Sequence, residues 1–237
     1  MTAKFEGEHI FRGRREINKA FVPKLRVSYS CLDDCRVYAG ADAALALALP
    51  ADDSFFLDNV SPYVGVAYDV TDIFTLDAGY IHYFYTKVPS GAANLGIKRN
   101  SDEIYGGVVA DVILTPSAYV FYNFGRREVA IEGRVGYTFD LSDNLLSGLA
   151  VDLGGKIGYD RANKPFGMAY IDGYGKKDYF YYGASADLVY GINDNAKASI
   201  GVEVSSNSAK KNAWVNGYGS AGNKTKIWLN AAVECSF

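Results

Sequence analysis

Histidine is the side chain that most often acts as a general base near neutral pH, so the two histidines are the first candidates for chemistry. The sequence holds only His9 and His82. A hydrolase also needs a nucleophile within reach of its base. His82 is followed by Tyr83, Phe84 and Tyr85, so no serine lies two residues along on the same side of an extended strand. We predict no catalytic residue, with a Ser or Asp partner from another strand as the open alternative.

Few other residues are candidates for binding a metal ion or a phosphate group. Cys31 and Cys35 flank a turn-like segment, and this spacing without further Cys or His is poor for zinc. In an oxidising compartment the pair could close a small disulfide loop, and two free thiols are the alternative. Gly154-Gly155-Lys156 is not followed by Ser or Thr, so it is not a phosphate loop. We predict no metal and no cofactor.

Composition excludes several classes of protein. The net charge of -3 argues against general nucleic-acid binding, which needs a basic surface. The longest apolar run, Ala43 to Leu49, ends at Pro50 and is too short for a membrane-spanning helix. The chain starts Met1-Thr2-Ala3-Lys4 without an apolar segment, so we expect an export signal to be absent from this sequence.

The elements that must position any site are strands, because apolar residues recur with a period of two. In the last segment, residues 227, 229, 231, 233, 235 and 237 are apolar or Cys and alternate with a mostly polar set. The same alternation predicts strands near 4–13, 19–30, 36–47, 60–70, 74–86, 102–114, 117–125, 128–140, 146–160, 178–191, 196–206 and 223–237. The chain is therefore predicted to form about twelve antiparallel strands in a single domain, 1–237.

The connections between these strands alternate in character. The even-numbered ones are tight turns, whereas most odd-numbered ones are long and rich in Gly, Lys, Asn and Ser, such as 87–101, 161–177 and 207–222. Only the link at Arg126-Arg127 is a clearly short odd one. Transmembrane barrels have short periplasmic turns and longer extracellular loops. This sorting predicts an all-β, up-and-down transmembrane barrel of the bacterial outer membrane.

The apolar face carries aromatic residues near the predicted strand ends, as in the aromatic girdles of membrane barrels. They are Tyr29, Phe74, Phe139, Tyr159, Phe180, Tyr190 and Phe237. A final aromatic residue preceded by alternating apolar residues is typical of outer-membrane barrels, so Phe237 is predicted to be an assembly signal read by the barrel-assembly machinery. The same parity puts His9 and His82 on the lipid side near the extracellular rim.

The polar face is then the functional surface. Its predicted pore-lining charges are Lys24, Arg26, Asp42, Asp69, Asp77, Asp111, Glu132, Arg134, Asp152, Lys156, Asp187, Lys197, Glu203, Lys226 and Glu234. Carboxylates slightly outnumber cations, which predicts a slight preference for cations. The alternative is that these charges pair across the interior and close it. Tyrosines on this face, with Phe121 and Trp228, could line a track for sugars or nucleosides, or could simply fill the barrel.

The start of the chain resembles a known family. Phe11-Arg12-Gly13, then polar residues, Pro23, a strand and Tyr38-Ala39-Gly40 are similar to the beginning of the TorF family of porins. Beyond residue 40 the resemblance is architectural. It implies a small Gram-negative outer-membrane barrel of twelve strands with a porin role, and it implies no particular substrate.

Three functional hypotheses follow. The first is a channel for passive diffusion of small hydrophilic solutes or ions. The second is a plugged structural or adhesion barrel acting through its extracellular loops, whose lysines and arginines would suit lipopolysaccharide. A membrane lipid-modifying enzyme is third, because the sequence offers no catalytic set.

Overall fold

The computed structural model describes residues 1–47, 58–85, 100–125, 127–142, 146–162, 177–208 and 225–237. These residues form twelve β-strands: β1 (Thr2–Phe11), β2 (Arg14–Leu32), β3 (Cys35–Ala46), β4 (Asn59–Asp69), β5 (Phe74–Tyr85), β6 (Asn100–Ala110), β7 (Ser117–Asn123), β8 (Glu128–Asp140), β9 (Leu149–Ala162), β10 (Lys177–Asn193), β11 (Ala196–Asn207) and β12 (Lys226–Cys235). Within the described ranges, no helix is long and apolar enough to cross a membrane.

Each strand pairs antiparallel with its neighbours in the sequence, and β1 pairs with β12 to close the barrel. The seam places Thr2 opposite Glu234, and the amino group of Met1 donates to the carbonyl oxygen of Cys235 at 2.6 Å. Closure satisfies the backbone groups that an open edge would expose, which a membrane requires. The prediction of a twelve-stranded antiparallel barrel is confirmed.

The outer face of the barrel is apolar and solvent-accessible, which is the reverse of a soluble barrel. Val27, Val64, Ile131, Ile200 and Leu229 point outward and are each at least half exposed. Aromatic residues pair on the same face near the strand ends, as Tyr137 does with Phe139 at 4.5 Å between ring centroids. Such a surface is stable when hydrocarbon, and not water, covers it. The outer face is therefore that of a transmembrane β-barrel.

Short turns lie at one end of the barrel, where β2 meets β3, β4 meets β5 and β10 meets β11. The strand ends that border the longer intervals in the chain, such as the end of β9 and the start of β10, lie at the other end. By the rule for membrane barrels the short turns are periplasmic. Most of the predicted long loops 87–101, 161–177 and 207–222 lie outside the described residues.

The first connection differs from the prediction. Residues 14–18 were expected to lie in a loop, but β2 begins at Arg14, and only Arg12 and Gly13 separate it from β1. Both turn residues have positive φ, 47° and 72°. This is the combination that a type I′ turn requires. β1 and β2 therefore form a tight hairpin at the extracellular end.

The tip of this hairpin bends into the barrel. Lys19 has a φ of 58°, and the pairing of β2 with β3 extends only as far as Ala20. The pairing of β1 with β2 also shifts register between His9 and Ile10. The segment 8–18, called the inner hairpin below, thus leaves the wall and enters the lumen.

A small apolar cluster lies where the inner hairpin departs. Ile17, Ala20, Val22 and Ala44 are buried together, with Ala46 packed against them. Full burial of a side chain such as Ile17 contributes about 1.5–3 kcal/mol. Because most of the remaining interior is polar, this cluster fixes the direction in which the hairpin enters.

Candidate functional site

The lumen below the inner hairpin contains a cavity of about 580 Å³. It is lined by residues of β1 to β5 on one side and of β7 to β12 on the other. A second cavity of similar volume lies toward the periplasmic turn between β6 and β7, where Val112 and Leu114 line it. The first is called the larger cavity below because residues of more strands line it. Gly154 and Ser185 line both cavities, and they are direct cross-strand partners. The two cavities therefore adjoin inside the barrel.

Six of the sequence-predicted charges line the larger cavity. They are Lys24, Asp42, Glu132, Arg134, Lys156 and Glu203. Asp152 lines the periplasmic cavity and accepts a hydrogen bond from the hydroxyl of Thr138 at 2.6 Å. Asp187 and Lys226 lie at inward-facing strand positions, since their cross-strand partners Gly201 and Ser205 share the parity of Glu203.

Further predicted charges lie on the inner face nearer the periplasmic end. Arg36 donates to Asp69 at 2.9 Å, and Lys197 lies 3.4 Å from Glu234. Asp111 departs from the prediction, because β6 ends at Ala110 and Asp111 stands in the exposed turn that follows. Its backbone N–H bonds to the carbonyl oxygen of Ile73 across the turns, so it belongs to the periplasmic rim and not to the wall.

The charges of the larger cavity are mostly paired with each other. The ammonium group of Lys4 bonds to Glu203 and lies 3.0 Å from Glu6. Arg134 donates to Glu132 at 2.5 Å. A looser pair, Lys24 with Asp42, is separated by 3.7 Å. The sequence could predict which charges face inward, but it could not predict their partners, because these depend on strand register.

Tyrosines cover one wall of the lumen and form a hydrogen-bonded group around Asp77. The hydroxyls of Tyr38 and Tyr119 both donate to Asp77, the second at 2.9 Å. Tyr38 also bonds to Tyr105 at 2.5 Å between hydroxyl oxygens. The guanidinium of Arg26 lies 4.0 Å from the centre of the Tyr38 ring, a cation–π contact. Asp77 is thus shielded by tyrosines and does not face the cavity as a free charge.

These tyrosines lie flat because each faces a glycine on the next strand. Five direct cross-strand pairs show the pattern: Tyr38 with Gly65, Tyr63 with Gly40, Tyr105 with Gly79, Tyr119 with Gly107 and Tyr181 with Gly158. At each of these glycines an added Cβ would collide with the tyrosine ring or hydroxyl. The glycines let large rings fold against the wall, which leaves the centre of the lumen less filled than the tyrosine content implies.

The tip of the inner hairpin crosses the lumen and bonds to the opposite wall. The Arg12 guanidinium donates two hydrogen bonds to Glu103 on β6, at 2.7 and 2.9 Å, and one to Glu128 on β8 at 3.3 Å. It also lies 4.3 Å from the centre of the Phe121 ring on β7. Arg14 donates to Glu128 at 3.2 Å. All four charged groups are nearly inaccessible to water, with side-chain exposures of 5% for the two arginines and 1% for the two glutamates.

The backbone of the tip is also held. Tyr179 donates to the carbonyl oxygen of Arg12 at 3.0 Å, and the Asn207 amide donates to that of Gly13 at 2.9 Å. Gly13 packs directly on Tyr181, where a side chain would collide. The inner hairpin therefore narrows the lumen at its extracellular end. The sequence signal for it is the pair Arg12-Gly13, which the prediction placed at the end of the first strand, 4–13.

The two histidines lie in different places, one on the outer face and one in the lumen. His82 lies on the outer face, against Phe84 at 4.2 Å between ring centroids, and its Nδ1 is 2.6 Å from Asp102. Tyr80 also donates to Asp102. The prediction for His9 is wrong, because His9 lines the larger cavity and pairs with Glu6 at 2.8 Å. His9 belongs to the inner hairpin, which leaves the wall, so side chains on both of its faces lie inside the lumen.

The cysteines have no disulfide in the structure. Cys31 donates to the carbonyl oxygen of Cys35 at 3.1 Å, and both thiols are free. A disulfide in an oxidising compartment stays a prediction. Within the described ranges, no group of three or more potential ligands could hold a metal ion.

Comparisons with known proteins support the fold. No family model matches the chain, and no curated protein does either. Among solved structures, the chain is similar to the NanC porin at 10% identity and a TM-score of 0.55, over 100% of this chain and 99% of that one. It is similar to LpxR from Salmonella typhimurium at 12% identity and a TM-score of 0.52, over 98% and 90% of the two chains. It is also similar to the KdgM porin, at 13% identity and a TM-score of 0.50, over 100% of this chain and 99% of that one. At such identities the likeness concerns the fold, and membership of the TorF family stays a prediction.

Proposed function

We propose that this protein is an outer-membrane channel for passive diffusion of small hydrophilic solutes or ions. The observation that carries the proposal is a polar, charge-lined inner surface with two adjoining cavities, inside a closed barrel whose outer face is apolar. Porins with a similar barrel fold support the same role. In this proposal all twelve strands act as one domain, and no residue has a catalytic role.

The proposed channel has a slight preference for cations. In the larger cavity most carboxylates are bonded to a lysine or arginine, so this part of the lumen contributes little selectivity. Toward the periplasmic end, Asp152 and Asp187 form no ion pair with any described residue. Carboxylates that face a pore without a partner favour cations.

Single-channel recording of refolded protein in a planar bilayer tests the proposal, with a salt gradient to measure selectivity. Discrete current steps with a weakly cation-selective reversal potential are the expected result. The double variant Asp152→Asn with Asp187→Asn should move the reversal potential toward zero selectivity. The matched control is Asp69→Asn, whose carboxylate is already bonded to Arg36. Folded barrels that carry no current would contradict the channel.

A second candidate function is a plugged structural or adhesion barrel, and the inner hairpin specifically favours it. Its tip is held by buried ion pairs to β6 and β8 and by hydrogen bonds to β10 and β11. In that case function would belong to the extracellular loops, with lipopolysaccharide as a partner. Binding of the folded barrel to lipopolysaccharide, with no current in the same preparation, would favour this second candidate.

Phe237 has a proposed role in assembly of the barrel. Phe237 follows the end of β12 and is fully exposed, so it is free to be bound by the barrel-assembly machinery. Changing Phe237→Ala should reduce the amount of folded protein in the outer membrane of expressing cells without changing the stability of refolded protein. Equal amounts of both forms in the membrane would contradict the assembly role.

A further inference from the structure

The larger cavity presents buried hydrogen-bonding atoms that lack partners. Trp228 on β12 lines it and is 6% exposed, and its indole Nε1–H has no hydrogen-bond partner among the described residues. Asp42 on β3 lines the same cavity, and its Oδ1 is likewise buried without a partner in the described part of the chain. A buried donor or acceptor left unpaired costs free energy. A molecule that offers both a donor and an acceptor would satisfy the two atoms.

The charge of the cavity indicates what such a molecule would be. Among the described lining residues there are five carboxylates and five permanent cations, namely Glu6, Glu16, Asp42, Glu132 and Glu203 with Lys4, Arg12, Lys24, Arg134 and Lys156. Most are bonded to one another, as Lys4 is to Glu203. A charged solute would lose hydration on entry and find few free counter-charges. The cavity therefore suits a neutral solute.

The shape and surface of the cavity also favour a small neutral solute. At about 580 Å³ the cavity is within the usual range of small-molecule sites, and aromatic side chains line one side of it, including Tyr63, Tyr83 and Tyr85. The facing wall includes small residues such as Gly154 and Ser185. Flat apolar rings next to a few polar groups fit a molecule with one apolar face and several hydroxyl groups.

We propose that the larger cavity is a binding site for a small neutral polyhydroxylated solute of monosaccharide size, with Trp228 Nε1–H as a donor and Asp42 Oδ1 as an acceptor to its hydroxyl groups. The inference rests on the proposed channel function, for which it names the class of solute. Because the charges around the site are mostly bonded to one another, a neutral solute would dwell there longer during passage than a charged one.

Two measurements test the site, and only one of them needs a conducting channel. The first is reduction of single-channel current by D-glucose, compared with D-glucuronate and D-glucosamine, which differ from it in charge. Saturable reduction by glucose at lower concentration than by either charged sugar is the expected result. Trp228→Phe keeps the ring and removes the N–H, so it should weaken the effect about three- to tenfold. Tyr182→Phe, on the outer face and 55% exposed, is the control.

The second measurement is tryptophan fluorescence of folded protein. The sequence has two tryptophans, so Trp214→Phe leaves Trp228 as the reporter. Glucose should change its emission saturably, and Asp42→Ala should weaken binding about three- to tenfold, while Asp69→Ala outside the cavity should not. Absence of a fluorescence response overturns the site, even where current flows and the channel stands. A response in barrels that carry no current supports the site and overturns the channel. Tenfold tighter binding of either charged sugar also overturns the neutral assignment.

Discussion

Tyrosines and glycines form cross-strand pairs on the inner face. Each tyrosine ring has room to lie there because the glycine opposite it has no side chain. Gly65→Ala would place a methyl group in the ring of Tyr38 and displace its hydroxyl from Asp77. Overpacking of this kind costs about 1–3 kcal/mol, so the midpoint of urea unfolding should fall. At Gly136 a new Cβ meets only a carbonyl oxygen at 3.7 Å. Gly136→Ala should therefore leave stability unchanged or raise it by about 0.5–1 kcal/mol, and equal losses in both variants would contradict the pairing.

Arg12 is the residue whose charge most affects the interior. Arg12→Ala leaves the buried carboxylate of Glu103 without its main partner and leaves Glu128 with Arg14 alone, and breaking such a buried pair costs about 3–5 kcal/mol. Arg36→Ala removes a pair with Asp69 in which the two side chains are 49% and 34% exposed, so its cost should be about 1 kcal/mol or less. Urea unfolding of both variants in the same detergent measures the difference. A loss at Arg12 no larger than that at Arg36 would contradict a buried network.

Residue parity could be predicted from the sequence, whereas contacts between residues could not. Alternation placed Lys156 and Glu132 on the inner face, where both line the larger cavity. It failed for His9, because the inner hairpin leaves the wall, and both His9 and Ile10 line the larger cavity although they are neighbours in sequence. The tyrosine–glycine pairs also depend on register between strands, which a period of two does not specify.

At the scale of elements, the inner hairpin is the main departure from expectation. Residues 14–18 are charged or polar except for Ile17, so the sequence pattern alone could not distinguish a hairpin inside the lumen from a loop. Positive φ at Arg12, Gly13 and Lys19 defines the tip and its bend. Of these three, only Gly13 is a residue type that predicts such a conformation.

Removal of the hairpin tip tests its place in the lumen. Glu8 pairs with Asn18, so replacing residues 9–17 with Asn-Gly would close the hairpin with a two-residue turn and leave the remaining strand pairs intact. Single-channel conductance should increase, because the segment that crosses the lumen is absent. Arg12→Ala, which keeps the segment but loosens its attachment, should give an intermediate or fluctuating conductance. An unchanged conductance in the shortened protein would mean that the narrowest point lies elsewhere.

For the whole molecule, the outer surface determines where the protein can fold. Ile200 faces outward on β11 and is 66% exposed, while its neighbour Ser199 faces inward. A lysine on the lipid side of a barrel costs about 2–4 kcal/mol near the middle of the bilayer. Ile200→Lys should therefore refold poorly into liposomes, and Ser199→Lys should refold normally. Refolding yield from heat-modifiable gel mobility measures both, and similar yields would contradict the lipid-facing assignment.

The architecture was predictable because closure needs only strand number, parity and the sorting of turns, all of which the sequence carries. Stability and permeability depend instead on which charges meet inside, as Arg12 and Glu103 do across more than ninety residues of chain. Such a meeting becomes visible only when the barrel is closed.

The seam between β1 and β12 brings the two ends of the described chain together, with the Met1 amino group bonded to Cys235 and the Ser236 amide bonded to Asn195. Joining these ends by a short linker and cutting the chain at another periplasmic turn, such as Asp33-Asp34, would give a circular permutant with every strand neighbour preserved. Its terminal residues would be new, and Phe237 would be internal. Such a molecule would separate two roles that the natural order of the strands combines: the shape of the finished barrel and the order in which its strands reach the membrane.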